Sequence, residues 1–386
     1  MLRLKCLEKE QFDNFIIEQT AISHYMQSQA WGEFSKVYYN LTPYYLGLVN
    51  EKDEVVGTTL LLEKNLKMNY NGYYIPFGFI ADYNKNEIIK EMTTRIVEFI
   101  KNKKGLYIKM NPNIIKKSIN YKNEEIENNN YEEIINRLKS LGYKNYKKND
   151  KNTYIIDLEK SEDEIYNHIS KNIKEYIENN SLIITETTTG NKSDLKALYS
   201  DKFNKKYYDT LYDVFNGNKA SKATILLEKI NIIKTINEYE KKLKTINNQI
   251  SIIPIDHLTK SSKDKLNTLT TIKKELLEII NKYKEIRKKH GNDVVISTAL
   301  FLEYGNKVYL HSINNNNVLN EEKINYLSYY DFIKYYKGYN IKEFIQDEET
   351  DNKEKYGGNK IEYIEKMEYI PKPVLYFILK KILKLL

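Results

Sequence analysis

The chain is short of several things, and each shortage narrows what it can be. Its 386 residues include one cysteine, Cys6, so an internal disulfide and a multi-cysteine metal cluster are both excluded, and a reducing compartment suits it. Glycine numbers 14 and proline six. In so glycine- and proline-poor a chain, each one present acts as punctuation. No apolar run reaches the roughly 20 residues of a membrane-spanning helix. The first ten residues mix Arg3, Lys5, Glu8 and Lys9 among leucines without the apolar stretch of a signal peptide, which points to the cytoplasm. The hydrophobic share of 41% supports real cores at this length. The net charge of +8 suits either a phosphate-rich partner or a lysine-rich solvated surface.

The most strongly patterned stretch is 221–290. Leu226, Ile230, Ile233, Ile236, Leu243, Ile246 and Ile250 recur at spacings of three and four, the stripe of a helix. After a break with Ser251, Pro254, Asp256 and Ser262, the stripe resumes at Leu266, Leu269, Ile272, Leu276, Ile279, Tyr283 and Ile286. A helix of roughly 30 residues is about 45 Å long, so two such stripes predict an antiparallel two-helix arm projecting from the body, with Pro254 at its tip. Its opposite face carries Lys229, Lys234, Lys241, Lys242, Lys244, Lys273, Lys274, Lys282, Lys284, Arg287, Lys288 and Lys289, which face water or a polyanion.

Before the arm, the spacing predicts a helix over 7–22 and a second one capped by Ser28, with Trp31 and Phe34 on one face. A hairpin follows over 44–49 and 55–62 around Asn50-Glu51-Lys52-Asp53. Residues 73–83 read as a strand ending in a bend at Pro76 and Gly78, then a helix over 87–101 and a strand over 106–110. The asparagine-rich 116–130 reads as a loop, 131–141 as a helix ended by Gly142 and 153–158 as a strand. A helix over 161–180, a strand over 182–187 and a helix over 195–215 open a second unit. A hairpin over 294–303 and 307–311 turns at Gly305-Asn306, and a helix over 326–336 with the segment 341–344 completes it. The fold class is α+β, as two units, 1–150 and 151–220 with 291–386, plus the arm 221–290. At the C-terminus, 373–386 carries Lys380, Lys381 and Lys384 among leucines and isoleucines. It reads as a helix that docks on the core or as a basic amphipathic helix on an anionic membrane surface.

Five features occur in a recognisable order: Gln27-Ser28-Gln29-Ala30-Trp31-Gly32-Glu33-Phe34, Tyr74-Ile75-Pro76-Phe77-Gly78-Phe79-Ile80-Ala81-Asp82-Tyr83, Lys109-Met110-Asn111-Pro112, the paired-helix arm, and Tyr356-Gly357-Gly358. With these the chain resembles the FemABX family of aminoacyl-tRNA-dependent peptidyltransferases. The resemblance implies two domains like the N-acetyltransferase fold, a coiled-coil arm like that of seryl-tRNA synthetase, and no metal or other cofactor. It also implies a reaction: an amino acid moves from the 3′ ester of aminoacyl-tRNA to an amine of the peptidoglycan stem peptide. The acceptor is lipid II or a UDP-linked muropeptide, and the work is cytoplasmic.

Aminolysis of an ester requires a deprotonated amine and a stabilised oxyanion, and it demands no enzyme nucleophile. By resemblance, Lys353 falls where relatives place a phenylalanine-lysine pair touching acceptor and carbonyl, and Asp82 is the acid that orients or deprotonates the amine. Lys36, Tyr74 and Tyr356 fall in segments that bind the acceptor. The chain departs from the family pattern where Phe77 and Phe79 flank Gly78, where Asn352 precedes Lys353, and in the acidic stretch Asp347-Glu348-Glu349. Two alternatives accompany this reading. One is a catalytically divergent member that binds tRNA or partners through the arm; the other is an N-acyltransferase using another acyl donor. The clustered glycines of an acyl-CoA pyrophosphate loop are absent from the sequence.

Overall fold

Caps and turns decide where most elements begin and end in the computed structural model, which describes residues 2–126, 130–147, 152–254, 259–316, 318–319, 324–346 and 353–383. Ser28 accepts a hydrogen bond from the Trp31 amide (3.1 Å) and starts the helix Gln29–Tyr39, which Asn40 closes in a left-handed conformation. Trp31 and Phe34 are buried on one side of it. The Asn50 carboxamide accepts from the Lys52 and Glu54 amides and so closes the hairpin of Thr42–Val49 and Val55–Asn65. Gly305, at φ +60°, turns Asp293–Tyr304 into Lys307–Asn315.

Two sheets carry the fold, and among the described residues they share one pairing plan. The first runs Arg3–Cys6, Thr42–Val49, Val55–Asn65, Asn71–Ile75, Gly105–Met110, Lys366–Tyr369, Lys144–Lys147. Its pairs are antiparallel except Asn71–Ile75 with Gly105–Met110, a parallel pair joined through the helix Asn86–Asn102. The second runs Thr185–Thr189, Ser221–Asn231, Asp293–Tyr304, Lys307–Asn315, Glu343–Gln346, Asn152–Asp157, Asn359–Tyr363, Ile115–Ile119, Glu125–Ile126. Its one parallel pair, Lys307–Asn315 with Glu343–Gln346, is again reached through a helix, Asn325–Lys337. Each half lends to the other: Ile115–Ile119 sits in the second sheet and Lys366–Tyr369 in the first. The sheets therefore do not divide the chain at residue 150.

A shared core joins the two sheets. Phe12, Tyr25, Trp31 and Phe34 from the first half bury against Tyr207, Phe215, Tyr304 and Tyr309 from the second. The Asp13 carboxylate accepts from the Gln29 amide and from the Tyr304 hydroxyl, both at 2.9 Å, which pins the halves together.

Several expected elements differ. Ser221–Asn231 is a strand, so Leu226, Lys229 and Ile230 belong to a sheet and the helices begin at Ile232. The strand is buried on both faces, so its apolar run contains a spacing of three and four by accident. From there Ile232–Ser251 and Lys260–His290 form an antiparallel pair: the Ile232 amide meets the Asn292 carbonyl (2.8 Å), and the Tyr239 and Tyr283 rings stack at 5.9 Å. Tyr239, Ile246, Leu269, Leu276, Ile280 and Tyr283 are buried between them. The asparagine-rich segment forms the strands Ile115–Ile119 and Glu125–Ile126 instead of a loop, since the partner strand Asn359–Tyr363 supplies what local propensity lacks. The expected helix over 161–180 is two, Glu162–His168 and Lys171–Asn179, broken at extended and buried Ile169. Residues 195–215 give a 3₁₀ turn, Lys192–Leu198, and then the helix Lys205–Asn216, capped by Asn204. The strand expected at 182–187 lies at Thr185–Thr189. Asp347, Glu348, Glu349, Asn352, the Lys353 side chain and Lys384 lie outside the described residues. No helix among the described residues is long and apolar enough to cross a membrane.

Candidate functional site

The turn after Asn71–Ile75 gathers three distant stretches. Phe77 and Gly78 both take left-handed backbone, at φ +53° and +69°. A Cβ on Gly78 would lie 2.7 Å from the Tyr83 hydroxyl and 3.1 Å from backbone atoms of Pro112 and Asn113, so only glycine fits there. Phe77 pays for no such closeness and is held by stacking: its ring lies 3.4 Å from that of His24, within 10° of parallel, and meets Tyr363 edge-on at 5.8 Å. A non-glycine residue in that conformation persists only where its surroundings fix it, and such positions cluster at functional sites. Gln27 completes the frame, accepting from the Leu60 amide (2.7 Å) and donating to the Pro76 carbonyl. The Tyr74 hydroxyl accepts from the Asn111 carboxamide (2.7 Å), and the Phe79 amide donates to the Tyr83 hydroxyl (2.9 Å). Burial pushes both phenols above their ordinary pKa, so both stay protonated at neutral pH.

Beside this turn lies a cavity of about 470 Å³ lined by Glu18, Gln19, Asp82, Asn84, Asn113 and Ile134, among others. Asn113 donates to the Ile22 carbonyl (2.9 Å) and so fixes one wall. Asp82 is exposed, and one of its carboxylate oxygens accepts from the Asn84 amide (2.9 Å). The helix Tyr131–Ser140 separates this space from a second cavity of about 350 Å³ lined by Lys116, Lys139, Asn145 and Glu365, among others. The first cavity offers the carboxylates Glu18 and Asp82, which suit an ammonium group, while the second mixes Lys116 and Lys139 with Glu132 and Glu365 and so can meet groups of either sign.

A second cluster forms around Tyr356-Gly357-Gly358. Gly357, at φ +80°, approaches the end of the helix Glu162–His168 so closely that a Cβ would sit 2.5 Å from His168 Cβ. The Ser170 amide donates to the Lys355 carbonyl (2.8 Å), which ties the turn Lys353–Tyr356 to the start of the helix Lys171–Asn179. Tyr356 is 1% exposed, stacked on Tyr329 at 4.8 Å, and its hydroxyl has no hydrogen-bond partner among the described residues. The two clusters lie toward opposite ends of the strand Asn359–Tyr363: Tyr363 pairs with Ile115 beside the larger cavity, while Asn359 follows Gly358. A five-residue strand is about 17 Å long.

The structure therefore brings Tyr74 and Asp82 to one cluster and the Lys353 turn and Tyr356 to the other. Lys36 lies apart, exposed on the last turn of Gln29–Tyr39. Among the described residues no hydrogen bond, ion pair or ring contact joins Lys36, Tyr74, Asp82 and Tyr356 to one another. His24, Gln27, Phe77 and Asn113 emerge as positioning groups that spacing does not reveal. The signals pointing toward them were the pair Pro76 and Gly78 in a glycine-poor chain and the motifs that contain Gln27 and Phe77; His24 and Asn113 had none.

Comparison with known proteins places these features in context. The pattern of the FemAB family matches residues 7–317. Aminoacyltransferase FemA of Staphylococcus epidermidis is 23% identical over 329 residues, covering 77% of this chain and 75% of that protein. Lipid II:glycine glycyltransferase of Staphylococcus aureus (strain USA300) is 23% identical over 324 residues, covering 74% and 70%. The crystal structure of FemX superposes with a TM-score of 0.76 over 98% of this chain and all of that one, at 19% identity, a likeness of fold.

Proposed function

Because the chain belongs to the FemAB family, we propose that it is an aminoacyltransferase that moves an amino acid from aminoacyl-tRNA to the stem peptide of a peptidoglycan precursor, lipid II or its UDP-linked counterpart. The observation that carries this reading is the family match across residues 7–317. The relatives named as lipid II glycyltransferases support the acceptor class, and cell-wall bridge synthesis follows from it.

In this proposal the two halves are N-acetyltransferase-like and the helical pair is a coiled-coil arm that holds the tRNA. Fourteen Lys and Arg against seven Asp and Glu lie between Ile232 and His290, leaving a net +7 there out of +8 for the whole chain. Lys234, Lys241, Lys242, Lys244, Lys274, Lys282 and Lys284 are exposed on it, while the apolar stripe faces inward. Phosphate contacts of this kind bring affinity without sequence readout, as a tRNA binder requires.

Lys353 is assigned the reacting carbonyl, where a fixed positive charge stabilises the oxyanion. Asp82, about one strand length from the Lys353 turn, is assigned to holding the acceptor; the acceptor amine attacks the ester carbonyl, its proton passes to the departing 3′ oxygen of the tRNA, and the ester C–O bond breaks as the amide forms. Lys36 is assigned the acceptor's anionic groups, and Tyr74 and Tyr356, both inward-facing, enter as positioning residues. No cofactor is required beyond the charged tRNA.

The test incubates the purified chain with a pool of charged tRNA and lipid II and follows labelled amino acid into the lipid. Transfer is expected, and Lys353→Ala is expected to lower kcat by at least about a hundredfold at an unchanged melting temperature. Binding of tRNA without transfer from any charged species would refute the catalytic reading and select the divergent, tRNA-binding one.

A further inference from the structure

The helix Pro373–Leu383 has two unlike sides. Tyr376 and Leu379 are buried against Leu106 and Tyr107, with Leu66, Tyr70 and Leu375 around them. The other side carries Val374 (74% exposed), Phe377 (62%) and Ile378 (51%), spaced i, i+3 and i+4 and therefore forming one stripe. Met68, 66% exposed, stands on the turn Lys67–Asn69, whose neighbours Leu66 and Tyr70 belong to the same small cluster. Contiguous exposed apolar side chains of this size mark an interaction surface.

Charge selects the occupant. From Ile370 to the last residue the sequence has four lysines, Lys372, Lys380, Lys381 and Lys384, and no aspartate or glutamate. Lys64 and Lys67 are exposed on the neighbouring turn. A second copy of this chain docked by the same face about a two-fold axis would set lysines against lysines. An anionic bilayer meets both demands at once: Val374, Phe377 and Ile378 enter the headgroup boundary while the ammonium groups meet lipid phosphates.

We propose that the exposed face of Pro373–Leu383, with Met68 beside it, docks on the surface of a bilayer containing anionic phospholipid. The contact lies flat on the membrane, since no described helix is long and apolar enough to span one. It needs neither tRNA nor muropeptide, so it stands or falls separately from the proposed reaction.

The experiment is flotation of the full chain with vesicles of phosphatidylcholine, with and without about one third phosphatidylglycerol. Binding is expected only to the anionic vesicles and is expected to weaken as salt is raised. Val374→Ser/Phe377→Ser/Ile378→Ser and, separately, Lys372→Glu/Lys381→Glu are each expected to weaken it by at least about tenfold, with melting temperatures unchanged because every altered side chain is exposed. Equal binding to neutral vesicles, no binding to either, or a concentration-dependent dimer abolished by the triple variant would overturn the proposal.

Discussion

Glu228 lies fully buried on the strand Ser221–Asn231, accepting from the Thr187 hydroxyl beside Asp331, which itself accepts from Thr185 at 2.8 Å. Burial, then the neighbouring Asp331 carboxylate, pushes its pKa from 4.5 up to about 8. The folded chain therefore holds a proton that the unfolded chain releases. The sign follows: the contribution is fully present below pH 4.5 and is lost as pH rises toward 8. Urea unfolding at pH 5 and at pH 8 should show a loss on the order of 2 to 4 kcal/mol at the higher pH, and Glu228→Gln should flatten that slope. An unchanged slope in the variant would place the titration elsewhere. At this scale the sequence was legible where a residue acts on its own neighbours: Ser28 caps its helix as its position demands, and Gly78 marks a bend. It was silent where the partner is remote. Nothing in the local sequence of Phe77 announces that His24, 53 positions earlier, stacks on it, and nothing around Glu228 announces that Asp331, on the helix Asn325–Lys337, faces it.

The pairing plan shared by the two sheets puts the helical pair in a specific place. In the first sheet, Thr42–Val49 passes to Val55–Asn65 through the tight turn at Asn50–Glu54; in the second, Ser221–Asn231 passes to Asp293–Tyr304 through Ile232–Ser251 and Lys260–His290. Asn231 already pairs with Asp293, so the strands are in register without the helices. Joining them by a two-residue asparagine-glycine turn should leave a folded body that has lost the cover over Ile183, Ile230, Val294, Ile296 and Leu327, among others. The shortened chain keeps a net charge of +1, and its affinity for tRNA should fall by at least about tenfold, with a shallower dependence on salt. A body that aggregates would show the helices to be core; unchanged affinity would show that tRNA is gripped elsewhere. The helices themselves were readable because their stripe persists over many turns. Their starting point was not, because a strand buried on both faces has no polar alternation to separate it from a helix.

Across the whole molecule the halves share a core and trade strands, so they should unfold together. Trp31, the single tryptophan, is buried at the seam against Tyr25, with ring centroids 5.5 Å apart. Its fluorescence and the far-ultraviolet dichroism of all the helices and strands should therefore trace one coincident transition in urea. Two separated transitions would mean that the traded strands bind weakly. This exchange was beyond sequence reading, since the pairing of Ile115–Ile119 with Asn359–Tyr363 joins segments some 240 positions apart and leaves no local period. It also sets the order of events at the ribosome. Among the described residues Lys144–Lys147 has its only sheet partner in Lys366–Tyr369, as does one edge of Gly105–Met110, so the N-terminal sheet must wait with an open flank until residues 366–369, more than 200 positions later, have been translated.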